Sequence, residues 1–451
     1  MELINQIPPQ VKTAIRLLNE NGFSAYVVGG AVRDAVMGNN INDWDITTSA
    51  LPEETEKVFS DYRYFETGIK HGTITVLIDK MPLEITTYRI EKGYSDRRRP
   101  DEVIFTDNLK EDLSRRDFTC NAMALHPEKG IVDYFGGKSD IENKIIRCVG
   151  EADKRFNEDA LRILRALRFA SVLSFDIESD TAESIRKNYR LLEFISKERI
   201  FVELCKLLCG KNVKKILLEY SEVFFFILPC LEKMKGCKQN HPRHIYDVWE
   251  HTVNAVTFAP PVPEMRMAML FHDCGKPQAK STDEKGIDHF YNHSAIGREI
   301  CHDALCKLKT SLNFRRKVCD FVEFHDFVPS KISKKTYKKH IGLLGIDTVK
   351  ELFLIREADI RAQSPDFIEE GLAEIKYGLS VIDEIEKNEA CFTLKDLAIN
   401  GSELMENGFE GGPCLGTILS LLLNEVMDNK LENNKSALLK RAKELNINGN
   451  S

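Results

Sequence analysis

The stretch that decides the fold is 25–46, AYVVGGAVRDAVMGNNINDWDI. Ala25 to Val28 run into two glycines and then into a helical pattern, which predicts a strand turning through a Gly-rich loop into a helix. Gly29 and Gly30 let the backbone approach a phosphate closely with its N–H groups free. Arg33 adds a planar, charged fork for a triphosphate oxygen. Asp43 and Asp45, two apart on a predicted strand, point to one face. Hard Mg²⁺ prefers such carboxylates together with substrate phosphates and water. Two metal ions so held activate an attacking hydroxyl and stabilise a pyrophosphate leaving group. An Asp-x-Asp pair is also an ordinary surface arrangement, so the assignment rests on its spacing behind the glycines.

Outward from this stretch, residues 1–140 alternate short β-rich runs with helical patterns. WDITT (44–48) reads as a strand, and LPEETEKVF (51–59) as a helix opened by Pro52 with Glu53 and Glu54 in its first turn. HGTITVLI (71–78) and LEITTYR (83–89) alternate apolar residues and predict paired strands. The expected class is α+β: an α/β head over 1–140, a helical neck over 141–235, a histidine-rich helical domain over 236–375 and a helical tail over 376–451.

Two further segments carry candidate site residues. DLSRRDFTCNAMA (112–124) sets Arg115, Arg116 and Asp117 before Asn121. It reads either as a salt-bridged helix start or as an arginine for the triphosphate with Asn121 at a ribose hydroxyl. In NEDALRILRALRFA (157–170), Asp159, Arg162 and Arg165 are three apart and share a predicted helix face, which Arg168 continues. Leu161, Leu164, Leu167 and Phe169 are expected to face the body. One reading is a solvated charged face; the other is recognition of a base. Cytosine and adenine present an amino donor beside a ring-nitrogen acceptor, whereas guanine and uracil present the reverse. A carboxylate accepting from the amino group and a guanidinium donating to the ring nitrogen therefore admit C and A. They leave buried polar groups unpaired against G and U, which discriminates strongly.

Together, GGAVRD…DWD resembles the first signature of the polymerase-β-like nucleotidyltransferases, whose site is completed by a third carboxylate from a neighbouring strand; Glu84 is the candidate. With RRDFTCNA, DYFGGKSDIENKIIR (133–147), EDALRILRALRFA and ISKERIFVELCKLL (195–208), the chain resembles the bacterial class II CCA-adding enzymes, the tRNA nucleotidyltransferases, over about residues 20–210. The resemblance implies tRNA, CTP and ATP as substrates. It makes Asp43 and Asp45 Mg²⁺ ligands, and Gly30 and Arg33 triphosphate contacts. It makes Asp159 and Arg162 the protein template for the incoming base, with Arg165 and Arg168 near phosphate. EKGYSDRRRPDEV (91–103) matches the loop that such enzymes use when switching from CTP to ATP, and its presence disfavours relatives that add only CC. GSELMENGFEGGPCLGTIL (401–419) resembles the tail of Gram-positive-type members and is expected to contact tRNA or pack, without chemistry of its own.

His251 in WEHTV, His272–Asp273 in LFHDCGK and Asp359 in READIRAQ follow the order H…HD…D, which resembles the metal signature of the HD phosphohydrolase superfamily. His293 and His325 fall where two-metal members place extra ligands, and Lys276 stands where it reaches a phosphate. Imidazole and carboxylate ligands suit Mn²⁺, Ni²⁺, Co²⁺ or Fe more than Mg²⁺.

Composition narrows the alternatives. With 451 residues, 43% hydrophobic and 29% charged, the chain has the makeup of a globular protein of two to four domains. No apolar run reaches the ~18–20 residues of a spanning helix, and the start MELINQIPPQ lacks the basic and apolar regions of a signal peptide. The cytoplasm and no membrane partner are the expectation, with the oligomeric state left open. None of the 12 cysteines forms a C-x-x-C pair, so free thiols are expected. A net charge of −7 disfavours nucleic-acid binding by the whole surface but permits a local basic track. The competing functions are a poly(A) polymerase or A-adding enzyme, a nucleotide phosphohydrolase with an RNA-binding head, and a non-catalytic RNA-binding protein. The tail ELNINGNS (444–451) is not the basic tail of poly(A) polymerases. Stringent-response proteins also pair a hydrolase with a transferase-like domain, in the opposite order.

Overall fold

The computed structural model describes residues 4, 6–41, 43–69, 72–94, 100–388, 393–428 and 430–448. Part of the expected switching loop, 95–99, lies outside the described residues. The chain divides into two compact units, Met1–Glu232 with Asp303–Leu312, and Lys233–His302 with Asn313–Ser451.

The first unit is built on a mixed sheet. Its strands in chain order are β1 (Ala25–Val28), β2 (Asp45–Thr48), β3 (Arg63–Gly68), β4 (Thr73–Ile78) and β5 (Met81–Thr87), then β8 (Met123–His126) and β9 (Gly130–Asp133), with β6 (Arg89–Lys92) and β7 (Glu102–Phe105) forming a separate hairpin. The order across the sheet is β3-β4-β5-β2-β1-β8-β9. Period-two alternation makes β4 and β5 what they are: Ile74, Val76, Ile78, Leu83 and Ile85 are buried, while Glu84 on the opposite face is exposed. Among the described residues the only parallel pair in this sheet is β2 with β5, whose register sets Asp45 opposite Glu84. The predicted helix after Leu51 forms as Pro52–Val58, with Pro at its first turn and Glu53 and Glu54 facing its N-terminal dipole.

Two short parallel strands, β10 (Ile145–Ile146) and β11 (Asp176–Ile177), follow the head. The helices of this region include Ala152–Glu158, Leu161–Leu173 and Lys197–Leu208. The last two pack closely: Ser171 Oγ donates to Leu207 O at 2.7 Å. A Cβ on Gly210 would meet Ser171 Oγ at 2.1 Å, so only glycine permits that approach.

Among the described residues beyond Glu232 the regular structure is helical except for a hairpin, β12 (Lys280–Thr282) with β13 (Asp288–Phe290). The hairpin is a short addition to the helical region expected there. Its strands are polar and carry no apolar alternation, and Gly286 with φ 77° closes the turn. One apolar cluster joins Tyr337, Ile341, Val349, Phe353 and Ile382. Another joins Leu404, Phe409, Ile418, Leu422 and Leu438. No helix among the described residues is long and apolar enough to cross a membrane, and the described cysteines are free thiols.

Candidate active site

In the first unit, a cleft of about 520 Å³ collects Gly29, Gly30, Arg33, Asp45, Arg115, Arg116, Asn121, Asp159, Arg162, Arg165 and Arg168. Eleven of the thirteen residues expected in the head and neck thus line one cavity; Asp43 and Glu84 do not line it.

Gly29 ends β1 with φ 74° and ψ −138°, a conformation open to glycine, and Gly30–Val36 starts a helix directly after it. A Cβ on Gly29 would also come within 3.2 Å of Arg116 Nη1 and 3.7 Å of Asp45 Oδ2. The strand β2 starts at Asp45, so Asp43 precedes the strand rather than sharing it, a correction to the expected two-on-one-face geometry. The two carboxylates still act on one another. Burial, the Asp43 charge and the Glu84 charge together raise Asp45 to about 6, with Arg116 opposing them. Asp45, with two further carboxylates close enough to oppose its ionisation and only oxygen to offer, has the chemistry that suits a hard divalent cation.

A chain of charged hydrogen bonds organises the arginines. Arg33 grips Asp34 through Nε and Nη2 at 3.0 and 2.9 Å, and donates through Nη1 to Asn121 Oδ1 at 2.8 Å. Asn121 donates onward to Asp117 at 3.1 Å, and Asp117 accepts from Arg165 Nε at 2.7 Å. Burial pushes the Asp117 carboxyl up, but Arg165 and Asn121 outweigh it and hold it below the usual range. Arg115 is salt-bridged, to Asp112 at 2.8 Å and Glu91 at 3.2 Å, but it caps the end of the Leu109–Ser114 helix instead of starting one. Phe169 lies against the guanidiniums of Arg33, Arg165 and Arg168 at 5.1, 5.5 and 4.0 Å from its ring centroid. Leu161 and Phe169 are buried, as expected of body-facing residues, and also border the cleft.

Asp159 is not on a helix. It lies extended, φ −138° and ψ 104°, between Ala152–Glu158 and Leu161–Leu173. Its Oδ1 accepts from the Leu161 N–H at 3.0 Å and its Oδ2 from Arg199 Nη2 at 2.9 Å. Arg162, on the helix, is buried and donates to Glu158 at 2.7 Å and to Arg115 O at 2.9 Å. The shared helix face is therefore replaced by a junction that still turns both side chains to one cleft. Sequence reasoning missed Arg199 and Glu91, which also line it. An Asp immediately before an apolar periodic run is a helix-start signal, and it marked the break at Asp159.

In the second unit, His251, His272, Asp273, His293, His325 and Asp359 converge. His251 Nε2 stands 2.9 Å from Asp359 Oδ1 and 3.3 Å from His272 Nε2. His293 Nε2 and His325 Nε2 are 3.3 Å apart. Asp273 faces both pairs: Oδ2 lies 3.5 and 3.2 Å from His251 and His272, and Oδ1 lies 3.4 and 3.6 Å from His293 and His325. Among the described residues, His251, His272 and Asp273 form one triad close enough to hold a metal ion, and Asp273, His293 and His325 form a second. Each histidine donates its Nδ1–H to a main-chain oxygen: His251 to Ala362, His272 to Met269, His293 to Phe290 and His325 to Val322. Since a carbonyl only accepts, every Nε2 turns a lone pair inward, the tautomer that binds metal. Burial lowers His272 and brings His293 to about 4. Burial would raise Asp273, but His272 and Lys276 outweigh it, and the carboxyl lies well below its usual range. Burial would lower His325, but its hydrogen bond to Asp273 and the Asp326 charge outweigh it and raise it. Imidazole and carboxylate groups together suit a transition metal. Lys276 Nζ reaches Asp273 at 2.7 Å and Arg356 Nη1 reaches Asp359 at 2.6 Å, and all of these except His251 and His272 line a cavity of about 390 Å³.

A strand-to-helix Gly-Gly turn with Asp45 beside it, opening on an arginine-lined cleft, is the arrangement of a nucleotidyltransferase. Residues 25–147 match the model of the poly A polymerase head domain, 174–235 that of the "Probable RNA and SrmB- binding site of polymerase A", and 281–442 that of tRNA nucleotidyltransferase domain 2. The CCA-adding enzyme of Streptococcus thermophilus is 34% identical over 97% of both chains, and that of Staphylococcus haemolyticus is 34% identical over 98% of both. The crystal structure of the Bacillus stearothermophilus CCA-adding enzyme in complex with CTP superposes with a TM-score of 0.75 at 28% identity, covering 98% of this chain and 99% of that one. The chain belongs to the CCA-adding enzyme family.

Proposed function

We propose that this chain adds C, C and A to the 3′ end of tRNA from CTP and ATP, without a nucleic-acid template, releasing pyrophosphate. The observation that carries it is the convergence of Gly29, Arg33 and Asp45 with Asp159 and Arg162 on one cleft. The 3′-oxygen of tRNA attacks the α-phosphorus, its proton departs, and the bond to the β-phosphate oxygen breaks. Asp43, Asp45 and Glu84 would hold Mg²⁺, which would supply the Lewis acidity needed at the hydroxyl and at the pyrophosphate. The Gly29–Gly30 turn lets the triphosphate lie against the backbone, and Arg33 and Arg116 donate to its oxygens. Arg115, Arg165 and Arg168 surround the cleft with positive charge, and Asn121 fixes Arg33. Asp159 accepts from the amino group of C or A while Arg162 donates to the ring nitrogen. Incubating the protein with tRNA that ends at its discriminator base and with each labelled nucleotide singly tests this. CTP alone should be incorporated first; addition of A alone marks an A-adding enzyme or poly(A) polymerase.

The second unit supports a phosphohydrolase reading, with 1–140 as head, 141–235 as neck, 236–375 as the HD-type domain and 376–451 as a tRNA-contacting tail. His251, His272, Asp273 and Asp359 would hold one Mn²⁺, Ni²⁺, Co²⁺ or Fe ion, and His293 and His325 with Asp273 a second. Such ions would lower the pKa of water enough to make it a nucleophile at neutral pH. Lys276 and Arg356 place positive charge beside the phosphate, whose ester P–O bond breaks as water adds to phosphorus and the alcohol leaves with a proton.

A further inference from the structure

The wall of the second-unit cavity carries an aromatic pair that the ligand chemistry leaves unused. His289 and Tyr291 stack with ring centroids 5.5 Å apart and planes inclined by 7°. Tyr291 is 72% exposed yet lines the same cavity as Asp273, His293 and Asp359. The inner ring is fixed: His289 Nε2 donates to Asp283 at 3.0 Å, and Asp283 also accepts from the Lys285 and Ile287 N–H groups. The outer face of Tyr291 is the flat apolar surface left over.

The chain path ties this surface to the reaction centre. Asn292 takes a left-handed φ of 59°, turning the chain from Tyr291 to His293, whose Nδ1 is anchored on Phe290 O at 2.8 Å. Two residues of chain span at most about 7 Å, so the Tyr291 backbone is that close to the backbone of a ligand. Tyr291 and the residues that would face a phosphate thus share one cavity of about 390 Å³.

We infer that Tyr291, backed by His289, is a stacking platform for a nucleobase, so that the second site takes a nucleoside monophosphate or an RNA end in preference to a phosphate ester without a base. This rests on the phosphohydrolase reading above. Stacking on an aromatic ring tolerates any base, because every base has a π-face. The platform thus selects for a base and not for its identity.

The test compares adenosine 5′-monophosphate with ribose 5-phosphate, which differ only in the base, on the full chain loaded with Mn²⁺. The wild type should show a lower KM for the nucleotide. Tyr291→Ala should raise that KM about tenfold, leaving its kcat and the KM for ribose 5-phosphate unchanged, and Tyr291→Phe should restore it. Equal KM values in the wild type, or a parallel rise for both substrates in Tyr291→Ala, overturn the platform. A second readout needs no hydrolysis: binding of 2-aminopurine riboside monophosphate to the chelator-treated protein, followed by quenching of its fluorescence. Wild type should show a quenched component that Tyr291→Ala lacks and Tyr291→Phe keeps; identical titrations overturn the inference. Hydrolysis of neither substrate together with loss of that component would refute the phosphohydrolase reading and leave the platform standing.

Discussion

Arg199 donates through Nη2 to Oδ2 of Asp159 at 2.9 Å, so a residue of the Lys197–Leu208 helix fixes the carboxylate assigned to read the base. The other oxygen of Asp159 is held by the Leu161 N–H, and this double restraint sets the plane in which the carboxylate meets an amino group.

Discrimination should therefore depend on three residues. Asp159→Ala removes the acceptor for the amino group of C or A and the charge that repels the carbonyl of U or G. Arg162→Ala removes the ring-nitrogen donor. Losing a hydrogen bond to a charged group costs about 1.5–3 kcal/mol, so the preference for CTP and ATP should fall roughly ten- to a hundredfold in either variant. Arg199→Ala should lower it by a smaller factor, and Arg199→Lys should recover part of that loss. The four kcat/KM values decide the matter; unchanged ratios would mean a solvated charged face.

Metal binding in the head should depend on pH through Asp45. Burial, then Asp43 and Glu84, raise its carboxyl to about 6. Between about pH 4 and 6 the folded state keeps a proton that the unfolded chain has released, so this group withdraws stability as pH rises through that window. A divalent cation binds the ionised form and gains affinity over the same window. Mn²⁺ affinity measured between pH 5 and 7 should drop as the pH falls below about 6, and Asp45→Asn should weaken binding and flatten the dependence. A pH-independent affinity would remove Asp45 from the metal site.

Gly29→Ala should both destabilise and inactivate. Its φ of 74° lies where an L side chain is strained, and the new Cβ would sit 3.2 Å from Arg116 Nη1. Strain of this kind costs about 1–3 kcal/mol, which a thermal melt detects. A variant with unchanged Tm and unchanged KM for CTP would show that the turn does not hold the triphosphate.

The two sites should be separable. His272→Ala combined with Asp273→Ala removes ligands of both triads, since Asp273 serves each. Hydrolysis of small phosphate esters should disappear while nucleotide addition continues. Collapse of both activities with the fold intact by circular dichroism would mean a single coupled site.

Much of this was readable in advance because the physics is local. The alternation of 73–78 and 83–89 built paired strands, and Gly29–Gly30 built the turn. Histidines and aspartates more than a hundred residues apart, such as His251 and Asp359, met because each sits on or at the end of an apolar helix. What was missed depends on cross-chain geometry. Asp159 left its helix through a bond to Leu161 N–H, and Arg199 joined the cleft from a helix whose sequence reads as ordinary amphipathic structure. The 280–290 hairpin was invisible because its strands bury little apolar surface.

The most direct test of the account is the rate of nucleotide incorporation into tRNA lacking its last three nucleotides, measured side by side for the wild type and Asp43→Ala. Asp43 lies outside the cleft and is exposed, so its removal should leave the fold and tRNA affinity nearly untouched. The account predicts C, C and A addition by the wild type and no detectable incorporation by the variant, because losing a ligand of the catalytic metal removes the activation of the hydroxyl. Retention of even a tenth of the wild-type rate would contradict it.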